Sequence, residues 1–138
     1  MIDQLDQILK NILDDTKAPQ DLRDADVSFD IPKESFAPDK NTVNLYLYDI
    51  QENRQLRDPV PIIKMNKGNY VKRRPPLRVD CSYMLTAWSG QSGETASASE
   101  HKILSQALLW LSQFPEIPVN YLLKDWNNKA KLSYRHEQ

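Results

Sequence analysis

The chain is poor in the residues from which most chemical sites are built. It has one cysteine, two histidines and three glycines among 138 residues. A single thiol, Cys81, rules out an intrachain disulfide framework and a cysteine-built zinc site. His101 and His136 are too few and too far apart to suggest a metal cluster. Three glycines against nine prolines favour fixed extended connections over glycine loops that cradle ligands. No apolar run approaches the roughly eighteen residues of a membrane span. No charged-then-apolar leader opens the sequence, which disfavours secretion by a signal peptide.

What is present is ordinary for one globular domain over residues 1–138. Forty percent of the residues are hydrophobic and 27% charged, and the length suffices to bury a real core. The net charge of −1 hides an asymmetry. Residues 1–40 hold ten acidic and five basic side chains, whereas residues 51–80 hold eight basic and three acidic. An acidic region thus stands against a basic one of equal excess, which matters for association more than the total does.

Periodicity supplies the elements. Ile2, Leu5, Ile8, Leu9, Ile12 and Leu13 fall on one helical arc and predict an amphipathic helix over 2–15, with Asp3 and Asp6 suiting its dipole. Residues 27–31 read as a short strand stopped by Pro32, and 32–42 as a loop. Residues 43–50 alternate as a strand with Val43, Leu45 and Leu47 on one face and Tyr46, Tyr48 and Ile50 on the other. Both faces therefore call for cover, a second helix over the tyrosines. Residues 61–66 and 69–74 flank Lys67-Gly68 as a hairpin.

Residues 77–88 form the cleanest alternation. At ~3.3 Å per residue they would span about 40 Å, so the strand must bend or project past its sheet. Ser97 and Glu100 have capping-box spacing for a helix that runs to about Gln113 and ends at Phe114-Pro115. Residues 119–126 read as a short helix or irregular packing, and 131–135 as the start of a last strand. The fold class expected is α+β: a mixed, mainly antiparallel sheet of about four strands flanked by helices, with an extended basic hairpin.

The search for catalysis comes out empty. No GxSxG, P-loop, GxGxxG or HExxH pattern occurs. The run Ser89-Gly-Gln-Ser-Gly has the wrong spacing for a nucleophile elbow. His101 has no nucleophile or metal ligand near it in sequence, and Cys81 reads as a small hydrophobe on a strand face. Neither an enzyme nor a cofactor is expected.

The basic run is more informative. Lys64, Lys67, Lys72, Arg73, Arg74 and Arg78 gather around the hairpin with Tyr70 among them. Phosphate contacts and stacking would suit a small nucleic-acid-binding module using 64–78. The slightly acidic chain and the missing nucleic-acid motifs favour a protein-docking face, its counterpart the acidic N-terminal third of a neighbouring subunit. Trp88 and Leu109 complete the candidate interface, as large apolar side chains suited to partner contact.

Two stretches then carry a resemblance. Asn41-Thr-Val-Asn-Leu-Tyr-Leu-Tyr-Asp-Ile-Gln-Glu-Asn-Arg-Gln-Leu-Arg57 comes first. Pro75-Pro-Leu-Arg-Val-Asp-Cys-Ser-Tyr-Met-Leu-Thr-Ala-Trp-Ser89 follows, and then Glu100-His and Phe114-Pro-Glu-Ile-Pro118. Their order resembles the tail-terminator, or cap, proteins of contractile injection systems, the phage-tail-like particles that include virulence cassettes and antifeeding prophages. The resemblance covers nearly the whole chain. It implies a ring, expected to be a hexamer, at the distal end of the inner tube and sheath, where elongation stops. It implies tube and sheath partners, assembly in the bacterial cytoplasm, and no enzyme. Members often continue through a further C-terminal segment, whereas this sequence ends at Gln138.

Overall fold

The structure, a computed structural model, describes residues 1–57, 60–73, 75 and 77–122, with backbone alone at 62, 64, 66 and 73. The expected last strand over 131–135 and the second half of the 119–126 segment, from 123 on, lie outside the described residues. Two compact units are present: Met1–Tyr46 with Met84–Gln138, and Leu47–Tyr83.

In the first unit, α1 (Ile2–Leu13) realises the predicted arc. Ile8, Ile12 and Leu13 are buried, and the chain leaves the helix two residues before the expected end. Pro19 then opens a five-residue helix, α2 (Gln20–Asp24), which buries Leu22. A helix of one turn and a half shows no period, so the pattern gave no sign of it. Both helices pack on α3 (Glu94–Ser112), which contributes Ile103, Ala107 and Trp110 to the core. Trp110 buries its ring and satisfies its indole N–H by donating to the Ile12 carbonyl at 2.8 Å. Each such large side chain contributes roughly 1.5–3 kcal/mol by leaving water.

The sheet has strand order β1–β2–β5, with β1 at Asp26–Ser28, β2 at Thr42–Glu52 and β5 at Val79–Trp88. β1 runs parallel to β2, with Val27 opposite Val43. The sense of β5 follows from its ends. The side chain of Asn41, just before β2, accepts from Gly90 just after β5, while Asn53 N–H, just after β2, donates to the Arg78 carbonyl just before β5. β2 and β5 are thus antiparallel and the sheet mixed, as the α+β expectation requires. It holds three of the roughly four strands expected; the fourth, over 131–135, lies outside the described residues, and the two hairpin strands pair with each other as a separate sheet.

Thr42 to Leu45 are buried on both faces of β2. The even-numbered face is covered there by the 29–41 loop. Asn44 Nδ2 donates to the Asp30 carbonyl at 2.9 Å, and Phe36 meets Trp88 edge to face at 4.9 Å. Further along, no second helix covers this face among the described residues: Tyr46 is half-buried, but Tyr48 is 58% exposed and Ile50 is exposed too. Alternation detects an apolar face; it does not say whether this chain supplies the cover.

The predicted capping box does not form. α3 begins earlier, at Glu94 after Gly93, which adopts φ +94°. Glu100 instead accepts from the backbone N–H of Ser89 at 3.0 Å, tying the strand exit to the helix. The glycine beside it, Gly90, lies so close to the 39–40 backbone that a Cβ would stand 2.3 Å from the Asp39 carbonyl oxygen.

Candidate functional site

The second unit holds the basic hairpin. β3 (Ile62–Asn66) and β4 (Asn69–Arg73) pair antiparallel with Met65 opposite Tyr70 and Ile63 opposite Lys72. The turn between them is the two-residue kind. Lys67 at φ +49° and Gly68 at φ +82° are both left-handed, the pattern of a type I′ turn. Strand alternation therefore puts Ile63, Met65, Tyr70 and Lys72 on one face. Ile63 is 66% exposed, Met65 72% and Tyr70 77%. Lys67 and Lys72 are exposed as well.

Among the other predicted residues, Arg78 is exposed just before β5, and its carbonyl accepts from Asn53. The side chains of Lys64 and Arg73, and the whole of Arg74, lie outside the described residues. In the first unit, Leu109 is 68% exposed on α3, away from the buried Ile103, Ala107 and Trp110, with Leu108 beside it also exposed. Trp88 is half-buried, its ring against Phe36 and its Nε1 donating to Thr86 Oγ1 at 2.9 Å. β5, the strand that carries it, ends the three-stranded order, so one of its edges has no partner strand among the described residues.

The first unit also carries a feature that sequence reasoning missed. A cleft of about 670 Å³ opens between the two N-terminal helices and β1. Asp14, Asp24, Asp26 and Asp30 line it, with Val27 and Phe36 among its apolar residues. Lys10 and Arg23 reach it too, but the Arg23 guanidinium is committed to the Thr16 carbonyl and to Gln20. Partial burial pushes the Asp14 carboxyl above its ordinary range, Lys10 opposing and Asp26 adding to the rise. The only hint in the sequence was the acidic excess of residues 1–40; which carboxylates converge depends on the turn at Pro19.

No group of three or more potential metal ligands forms among the described residues. No described helix is long and apolar enough to cross a membrane. His101, on α3, is exposed.

Comparison with known proteins supplies the context. Residues 4–137 match the family model described as the Pvc16 N-terminal domain. No curated protein matches the chain. Among solved structures, the cryo-EM structure of a PVC sheath/tube terminator in the extended state, from an extracellular contractile injection system, is similar. The two are 22% identical with a TM-score of 0.62, and the match covers 86% of this chain and 40% of that one. The chain thus corresponds to about two fifths of that terminator's length.

Proposed function

Because the chain belongs to the Pvc16 N-terminal domain family, we propose that it is a structural component of a contractile injection particle, capping the distal end of tube and sheath and ending elongation. The family match over residues 4–137 carries the reading. The shared fold with a sheath/tube terminator supports it. On this reading the chain is no enzyme, assembles in the bacterial cytoplasm, and works as a ring, a hexamer in the simplest case.

A ring closes through heterologous contacts, in which one patch fits a different patch on the neighbour. The hairpin and its flank, with Lys64, Lys67, Tyr70, Lys72, Arg73, Arg74 and Arg78, are the contact we assign to a neighbouring subunit or to the last sheath layer. The edge of β5 that pairs with no strand among the described residues and the exposed Leu109 offer further surface. Trp88 contributes less, since its ring is spent largely on Phe36.

The test is tail length. Replacing Lys72, Arg73 and Arg74 with glutamate in the particle should give tails of uncontrolled length by electron microscopy. Tails of normal length in that variant remove the hairpin from the contact. Normal length after deletion of the whole chain removes the terminator reading itself.

A further inference from the structure

The hairpin's apolar face and the acidic cleft match in two independent properties. The face presents Ile63, Met65 and Tyr70 to solvent, with Lys67 at the turn and Lys72 beside them. The cleft offers apolar surface at Val27 and Phe36, set among Asp14, Asp24, Asp26 and Asp30. Contiguous exposed apolar surface rimmed by charge is uncommon on a monomer and marks an interaction site. Opposite charges around an apolar centre select the partner and its register.

We infer that the hairpin of one copy seats its Tyr70 face in the acidic cleft of a second copy, with Lys67 and Lys72 meeting the cleft's aspartates. The inference rests on the ring reading above and names the acceptor which that reading leaves open. Size limits what enters. A cleft of about 670 Å³ lies within the range of roughly 300–1,000 Å³ that holds a small ligand. It admits one or two side chains and not a folded hairpin. Tyr70 is the natural anchor, because an aromatic ring buries large area at low rotamer cost. Its cross-strand neighbour Met65 packs along the cleft lip, and the lysines stay at the wet rim. Donor and acceptor are made by different residues of one chain, so each copy offers both, and contacts run head to tail.

Charge exchange between copies tests this by sedimentation of the full chain. One variant carries Lys67→Glu with Lys72→Glu; the other carries Asp24→Lys with Asp26→Lys. Each alone should weaken self-association about tenfold or more. Mixing the two variants should restore it to within about threefold of wild type, since each reversed hairpin then finds a reversed cleft. A chain monomeric up to millimolar concentration overturns the inference. So does a cleft variant that associates normally, or a recovery seen only when all four changes sit in one chain, which would place the contact within a subunit. Circular dichroism checks folding, and if the cleft variant unfolds, Asp24→Asn with Asp26→Asn decides, with about threefold weakening or more expected. These outcomes leave the terminator reading to be judged separately, by tail length.

Discussion

The two units both carry large apolar side chains and put them to opposite use. Every described side chain classed as buried lies in Met1–Tyr46 or Met84–Gln138; none lies in Leu47–Tyr83. The second unit nevertheless carries Tyr48, Ile50, Leu56, Ile63, Met65 and Tyr70, all exposed. An isolated two-stranded hairpin is marginal in water, and burial of apolar surface is the main term that offsets chain entropy. The first unit has what a folded domain needs. The second has what an interface needs and little that would stabilise it alone.

Truncating a side chain at equivalent depth in sequence pattern but opposite depth in structure gives the sharpest break. Ile12→Ala removes a buried side chain at the α1–α3 contact and should cost about 2–5 kcal/mol, because the surroundings close only partly over the cavity. Ile63→Ala in the hairpin should change stability by less than about 0.5 kcal/mol, as exposed substitutions usually do. Urea denaturation measures both. A comparable loss at Ile63 would mean that the hairpin face is covered within the monomer, and the contrast between the units would fall.

Glycines extend the comparison to the backbone. Gly90→Ala would put a Cβ 2.3 Å from the Asp39 carbonyl oxygen, against backbone that cannot swing aside. The clash also disturbs the Gly90 N–H donating to Asn41 Oδ1 at 3.2 Å. A loss of about 1–3 kcal/mol is expected from overpacking. Gly68→Ala meets no atom within 4 Å and pays only for its positive φ, about 1 kcal/mol. Thermal unfolding ranks the two. Equal losses would show that close packing at residues 39–41 and 90 adds nothing to the first unit.

The same division decides what the sequence made legible. α1, β2, β5 and the hairpin follow from short-range pattern, and Lys67-Gly68 marks the turn to the residue. The reading failed where a residue's partner is far away in the chain. Glu100 has capping spacing from Ser97, yet Ser89, eleven residues back, takes it. Gly90 looks like one more small loop residue until the 39–40 backbone passes it. Phe36 sits in what reads as a plain loop and ends against Trp88. The residues proposed for the interface were legible as charge, because a basic run needs no folding to be seen. The cleft was not, since it takes α1, α2 and β1 together to make it.

The smallest effect tests whether a change in the first unit stays there. Tyr121, in the short 3-10 turn at Val119–Tyr121, donates its hydroxyl to Asp15 just beyond α1. Its ring continues the Trp110–Phe114 stack, with Phe114 and Tyr121 centroids 5.9 Å apart. The Tyr121 hydroxyl and then the Lys17 N–H hold the Asp15 carboxyl below its ordinary value of 3.8. Burial first and the Asp15 contact second push Tyr121 up to about 12 from 10.0. Because the folded state depresses Asp15, its stabilisation is complete above pH 3.8 and is lost as pH falls through the lower folded value. Because the folded state raises Tyr121, its stabilisation is complete below pH 10 and is lost between there and about 12. Tyr121→Phe keeps the ring contact and removes the hydrogen bond. It should cost about 0.5 kcal/mol at pH 7, the low end for such bonds because water competes at Asp15. The difference from wild type should vanish in strong acid. Hydrogen exchange should quicken at the end of α1 and around residues 119–121, and stay unchanged in the hairpin amides of 62–73. Faster exchange in the hairpin as well would mean that the two units unfold as one, and that the second draws its stability from the core of the first.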